Sequence, residues 1–390
     1  MTLSLTEQQK RRAALNFIIC LGVVSLFADM TYEGAHSIVG PYLKELGATA
    51  AQVAFIAGFG EMLAASLRYF SGRFADRTRS YWTITFLGYA MNVVAVPAMA
   101  YAGTWQVAAL LVIAERTGKA LRGPARDVLL SGATESVGHG WGFGLHGIMD
   151  QTGAMIGPLL MMLAVARTGH FAPAFLWLFF PAVGTLLALS SARAINPGRD
   201  VVTKTIQTRE LTSTFWMYVA AAGVLACGFL DFPLLAYHFQ NDHLITPQNI
   251  PLLYAGAMGV NGLGALVFGR LFDRFGLNIL VFGILVSALS LPLGFLVEGS
   301  GAAVASVACW AVGLGAQDAC LRAGIARAVS MNKRGSAFGS FNAVYGVAWF
   351  AGSAVMGLLY AGHLTALVVF GVVMQLIAAG MFFGLRKRVA

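Results

Sequence analysis

The run Gly72-Arg73-Phe74-Ala75-Asp76-Arg77 returns as Gly269-Arg270-Leu271-Phe272-Asp273-Arg274, 197 residues later in a chain of 390. Each copy lies between two long apolar segments, so one structural unit has been used twice and the chain reads as two homologous halves. Further pairs are spread along each half. Gly140-Trp141-Gly142-Phe143-Gly144 answers to Gly335-Ser336-Ala337-Phe338-Gly339, and Leu121-Arg122 to Leu321-Arg322. In a membrane chain, paired halves point to a transporter with its site at their interface.

Composition places the chain in lipid. It is 58% hydrophobic and only 11% charged, with a mean hydropathy of +0.72, whereas soluble domains carry about a quarter charged residues. Apolar runs of membrane-spanning length fall near 14–40, 51–70, 81–102, 104–124, 139–166, 172–193, 213–239, 251–269, 278–297, 302–324, 335–360 and 364–385. The expected fold is an all-α integral membrane protein with twelve transmembrane helices. They form two pseudo-symmetric six-helix bundles, 1–194 and 213–390, joined by a polar linker at 195–212.

The net charge of +9 raises the question of nucleic acid, and the placement of the charge answers it. With the N-terminus inside, all of the 26 Lys and Arg except Lys44 and Arg167 fall on the cytoplasmic side. The positive-inside rule then sets both termini in the cytoplasm of a multi-pass protein of the inner (cytoplasmic) membrane. The charge is spread along one membrane face and forms no patch for nucleic acid. The first apolar segment is long, carries acids and lacks a small-residue cleavage site, so it reads as a retained helix and not a signal peptide. Cys20, Cys227, Cys309 and Cys320 sit inside expected helices at no metal-ligand spacing, which reads as free thiols. No phosphate-cradling loop, nucleophile elbow or paired Cys/His ligand set occurs. No enzyme activity, cofactor or metal is therefore expected, and the energy for transport comes from ion gradients or from the substrate.

At this point the chain resembles the major facilitator superfamily. The loop after the second span is similar to that family's G-x-x-x-D-R-x-G-R-R signature, here Gly72-Arg73-Phe74-Ala75-Asp76-Arg77-Thr78-Arg79-Ser80, with Arg where the pattern has its second Gly. The second copy keeps Gly276 but has Leu277 and Asn278 where basic residues are usual. The resemblance implies gating by Gly72, Asp76 and Arg77 and by Gly269, Asp273 and Arg274. Gly72 permits close helix approach, and Asp76 suits an Arg or the positive end of a helix. The helix beginning after Lys333-Arg334 is the expected partner of Asp76, and the one beginning after Gly138-His139 that of Asp273. The alternative is a basic loop with a tight turn. In the fifth span, Gly144, Gly153, Gly157 and Pro158 are similar to the family's antiporter motif, which typically ends in paired glycines where this chain has Met161 and Met162. That spacing allows close helix packing, and Pro158 removes a backbone donor.

Charged residues inside the spans mark the candidate site. Asp29, Glu33 and His36 share one face of the first span with Tyr32 beside it, and two acids on one helix do not face lipid. A carboxyl withdrawn from water is suited to carrying protons. The other reading is a structural acid held by Arg116 or by another helix. Arg116 resembles the family's fourth-helix arginine, as proton relay or as structural ion pair. Glu115, Lys119, Arg122 and Arg126 share one face of that span. Glu115 and Lys119 are spaced to neutralise each other, and Arg122 and Arg126 read as marking the cytoplasmic end. Phe229-Leu230-Asp231 resembles Phe27-Ala28-Asp29, which would set two acids toward one cavity. Asp150 has no partner on its own helix, Asp318 and Arg322 are spaced as a pair, and Glu61 is ambiguous. The chain thus reads as a monomeric secondary transporter that exports a small molecule in exchange for protons. Uptake with protons is the alternative, and a non-transporting receptor or scaffold is a third reading.

Overall fold

The computed structural model describes residues 7–134, 137, 139–195, 212–328 and 334–386, whose regular structure is helical throughout. Most of the expected linker, 196–211, lies outside the described residues. The first half contributes α1 (Glu7–Glu45), α2 (Ala50–Thr78), α3 (Tyr81–Ala98), α4 (Trp105–Thr134), α5 (His139–Thr168), α6 (Phe171–Ala174) and α7 (Phe179–Ile195). The second contributes α8 (Ser213–Gly228), α9 (Phe232–Asn241), α10 (Asn249–Phe275), α11 (Leu277–Ala288), α12 (Ser290–Phe295), α13 (Ser300–Ala328), α14 (Arg334–Tyr360) and α15 (Leu364–Leu385).

Among the described residues, eleven stretches are long and apolar enough to cross a membrane. The twelfth expected span, α4, has the length at 30 residues but carries Glu115, Arg116, Lys119, Arg122, Arg126 and Asp127. Several helices outrun their apolar runs, because backbone hydrogen bonding continues into the polar interface where charged side chains are solvated. Leu110, Phe180, Leu263 and Leu358 are all at least 66% exposed, which suits a lipid-facing surface.

Among the described residues, three spans are interrupted along their length. The sixth passes through a 3₁₀ turn at Phe175–Leu178, and the ninth breaks at Leu289. The seventh breaks at Phe229-Leu230-Asp231, where Phe229 and Asp231 are extended and Pro233 stands in the first turn of α9. Backbone groups freed inside a membrane must find partners. Here Trp310 Nε1 donates to the Leu230 carbonyl at 2.8 Å and Gln375 Nε2 to the Gly228 carbonyl at 3.0 Å. The Asp231 carbonyl accepts from the amide of Leu234.

The chain forms two compact units. One comprises residues 1–35, 67–102 and 110–204; the other comprises 36–66, 103–109 and 205–390. In the first, Phe17, Leu21, Trp82, Tyr89 and Leu129 build the apolar core. There α3 meets α4 at Gly88 and Gly118, where a Cβ on either glycine would stand 2.6 Å from the other's carbonyl oxygen. In the second, Phe215, Tyr218, Phe272, Leu280 and Phe382 form the core, and the Tyr218 hydroxyl donates to the Leu321 carbonyl at 2.9 Å. Residues 36–66 pack tightly into this second unit. A Cβ on Gly40 would strike the Pro233 carbonyl, and one on Gly58 would stand 2.7 Å from Ser353 Cβ.

Candidate functional site

In the first unit, α1 presents Asp29, Tyr32 and Glu33 to charges from α4 and α5. Asp29 is buried, and its carboxyl lies within hydrogen-bonding reach of that of Asp150. The acid without a partner on its own helix finds one on another. Lys119 and Arg126 lie within electrostatic reach of both carboxyls, Arg122 within reach of Asp29, and His146 within reach of Asp150. Arg126 Nη1 donates to Ser25 Oγ at 3.1 Å, and Ser25 Oγ stands 2.9 Å from His146 Nε2. Arg126 also pairs with Asp127 at 3.0 Å.

The remaining α4 charges are arranged around two tyrosines. Lys119 Nζ lies 3.1 Å from the Tyr32 ring centroid and 3.9 Å from Glu33 Oε1. Arg116, three residues earlier, sets its guanidinium 4.6 Å from the same ring. Lys119 thus pairs with Glu33, while Glu115 accepts from Asn92 Nδ2 at 2.8 Å and stands 3.7 Å from Arg116 Nε. Arg122 is 3% exposed and lies 4.3 Å from the Tyr89 ring centroid. The expectation that Arg122 and Arg126 only mark a helix end is corrected: α4 continues to Thr134, which carries both side chains into the unit. His146, Ser25 and Asn92 were not singled out from sequence. The signal for His146 is its place four residues before Asp150, on the same face of α5.

His36 and Asp231 belong to the second unit. The His36 ring is 5.6 Å from that of Tyr254, which packs on Phe232 at 4.5 Å and on Trp310 at 6.3 Å. Trp349 Nε1 donates to Asp231 Oδ2 at 3.4 Å, and its ring lies 5.5 Å from Phe229. The likeness between Phe27-Ala28-Asp29 and Phe229-Leu230-Asp231 does not extend to the backbone. Asp29 sits within the continuous α1, whereas Asp231 closes the break before α9. Asp318 and Glu61 bear electrostatically on the half-buried Tyr345.

Uncharacterized proteins of Mycobacterium tuberculosis and Mycobacterium bovis are 38% identical to the chain over 384 residues, covering 96% of it and 94% of their own length. The sequence pattern of the Major Facilitator Superfamily matches residues 217–390. The chain belongs to this superfamily. An uncharacterized MFS-type transporter of Methanocaldococcus jannaschii is 21% identical over 287 residues, 71% of each chain. Among solved structures, a peptide transporter, POT, in complex with sulfate superposes with a TM-score of 0.74 at 15% identity, covering 98% of this chain and 99% of its own. The nucleoside transporter NupG gives 0.71 at 14% identity, covering 96% and 98%.

The superfamily's loop signature has a geometric reading here. Arg79 has φ +53°, and Gly276, its counterpart 197 residues on, has φ +57°. Only glycine enters this left-handed region without strain, which accounts for the glycine the pattern has at 79. A Cβ on Gly72 would lie 3.4 Å from Pro124, so α2 passes close to α4 there; around Gly269 no such contact occurs within 4 Å. Arg77, Asp273 and Arg274 are exposed, and Arg274 lies 5.2 Å from the Phe275 ring centroid. The side chain of Asp76 lies outside the described residues, as do those at the two helix starts, 334–336 and 139–141, expected to receive Asp76 and Asp273. The α5 stretch that is similar to the antiporter motif is a packing surface. A Cβ on Gly153 would strike the Leu26 carbonyl and one on Gly157 the Met30 carbonyl, and Gly22 faces Met149. α1 and α5 therefore run parallel in four-residue steps with their backbones in contact. Pro158 lies inside α5 beside this surface, and Met161, where the motif has a glycine, is fully buried. The surroundings of Gly144 lie outside the described residues.

Proposed function

We propose that this chain exports a small molecule in exchange for protons by alternating access, from an inner membrane with both chain termini in the cytoplasm. The pseudo-symmetric bundles 1–194 and 213–390 are its two halves. The approach of the Asp29 and Asp150 carboxyls to within hydrogen-bonding reach of each other, inside a ring of cations, is the observation that supports the reading. An ionised carboxylate only accepts, so two carboxyls bond to each other only when one holds a proton. The pair is therefore built to hold one. When that proton leaves, each carboxylate turns to the cations already in reach, Arg126 and Lys119 for both and Arg122 for Asp29. Protonation then decides whether α1 is held to α5 by a shared proton or both are drawn toward α4. A change of charge partner that favours one of two helix arrangements is what couples proton binding to a conformational equilibrium. The close contact of Gly153 and Gly157 with α1 supports exchange over leak, because a backbone-to-backbone seam leaves no passage for substrate.

The test uses everted membrane vesicles, which present the cytoplasmic face outward, and a compound that raises the melting temperature of the purified protein. With an acid interior, an exporter accumulates that compound, and its addition releases protons from the vesicles. Loss of preloaded compound together with protons would replace export by uptake. Binding with no gradient-driven movement in either direction would favour the receptor reading.

A further inference from the structure

α1 and α5 carry a second polar rung beside the carboxyl pair. Ser25 and His146 are 121 residues apart, the same separation as Asp29 and Asp150, and each stands one four-residue step before its acid. The backbone seam of Leu26 with Gly153 and of Met30 with Gly157 keeps the two helices in one register over this stretch. The rungs are therefore one helical turn apart, about 6 Å. Ser25 and His146 form the rung nearer the ends at which α1 and α5 begin, which are cytoplasmic in the topology proposed above.

Arg126 reaches both rungs. Its Nη1 stands 3.1 Å from Ser25 Oγ, and its charge bears on both carboxyls. A guanidinium only donates, so Ser25 Oγ accepts from it, and the serine's own proton lies toward His146 Nε2, 2.9 Å away. This arrangement suits a neutral ring whose Nε2 accepts and whose proton sits on Nδ1. His146 is buried, and the charges that bear on it are Arg126 and Asp127 from α4 and Asp150 from its own helix, with Ser25 facing it from α1. Protonation at Nε2 turns that atom into a donor. Ser25 Oγ then receives from two cations at once, which loosens Arg126 and turns it toward Asp29, Asp150 and Asp127.

We propose that His146 is a second binding site for the coupled proton, one turn nearer the cytoplasm, and that Arg126 makes the two sites alternatives. One O–H bond breaks at the carboxyl pair and one N–H bond forms at His146 Nε2, so the net charge of the cluster is unchanged. Arg126 moves the opposite way, from Ser25 to the carboxylates that the proton has left. Ser25 is a positioning residue, because its hydroxyl links the ring to the guanidinium. The inference rests on the proton-coupled reading above and adds to it the group that takes the proton toward the cytoplasm.

Dicyclohexylcarbodiimide couples to protonated carboxyls in apolar surroundings. Its labelling of Asp29 and Asp150, read by peptide mass spectrometry over a pH series, therefore follows the proton on the pair. His146→Gln keeps an acceptor for Ser25 and removes the second proton site. The pH of half-labelling should then rise by on the order of one unit, because the cation that draws the proton off the pair no longer forms. A second measurement leaves the chain unaltered. Hydrogen–deuterium exchange at the imidazole Cε1 carbon depends on protonation of the ring, and for His146 its pH profile should bend within the interval over which the carboxyl label is lost. An unshifted half-labelling pH in His146→Gln, or a His146 profile with no bend in that interval, overturns this role and leaves the carboxyl pair as the proton site. Wild-type protein in which neither acid takes label at any pH would remove the shared proton itself, and with it both this role and the export reading.

Discussion

Replacing Gly157 by Ala adds one methyl group at a seam with no room for it. The new Cβ would stand 2.8 Å from both the carbonyl carbon and the Cα of Met30, against an ordinary contact that begins at 3.4 Å. Neither atom is the end of a flexible side chain, and the Met30 carbonyl oxygen is struck harder still, so α1 has to retreat by roughly 1 Å, and the flush contact at Gly153 and Leu26 is lost with it. Small-to-large changes in packed interiors cost about 1–3 kcal/mol. At about 2–4 °C per kcal/mol for a unit of roughly 150–250 residues, the melting temperature should fall by on the order of 5 °C. Gly147, on the same helix, is the control, because a Cβ there has nothing within 4 Å. Ala is the better helix former by up to about 1 kcal/mol, so Gly147→Ala should raise the melting temperature by about 2 °C. A fluorogenic maleimide reads both variants, since Cys20, Cys227, Cys309 and Cys320 are free thiols at least partly shielded in the fold. If Gly157→Ala melts at or above wild type, or if the two variants shift alike, the backbone seam between α1 and α5 does not exist as described.

Asp29→Asn and Asp150→Asn should each abolish accumulation driven by a pH gradient while leaving substrate exchange at equilibrium intact, as vesicle flux assays would show; full gradient-driven accumulation in both variants would remove the carboxyl pair from the mechanism. Arg79→Gly should stabilise the protein by about 1 kcal/mol and Gly276→Ala should destabilise it by a similar amount, because both positions have positive φ. Thermal melts decide this, and no difference between the two signs would refute it. Cysteines placed at Gly103 and Ser300 should react with an impermeant thiol reagent added outside intact cells, and those at Thr203 and Val389 should not; labelling at Thr203 would invert the topology.

The twelve spans were legible because lipid demands long apolar runs, and α4 was legible despite its charges because flanking spans and the repeat required it. The repeated loop was legible as a sequence pattern, while the positive φ that Arg79 and Gly276 share emerges only in the structure. What the sequence withheld was pairing between helices. Asp29 and Asp150 are 121 residues apart, and nothing local says that α5 brings one to the other. Lys119 has an acid four residues before it, and its pairing with Glu33 across helices follows from how α4 lies on α1. The Asn92–Glu115 bond was hidden for the same reason: an Asn in an apolar run has no visible partner until α3 meets α4 at Gly88 and Gly118. The placement of residues 36–66 with helices of the second half was hidden too. Ala51, Ala54 and Gly58 form a small-residue stripe, but a stripe does not name what lies against it.

That placement sets a timetable for biosynthesis. Gly58 waits for Ser353, and Ala54 for Gly357, so 295 residues separate the first of these partners from the second along the chain. At about 5–20 residues per second, a ribosome needs roughly 15–60 s to cover that distance. For all of that interval the small-residue face of α2 stands in the bilayer with only lipid or the insertion machinery against it. The chain therefore enters the membrane helix by helix long before one of its two compact units can close.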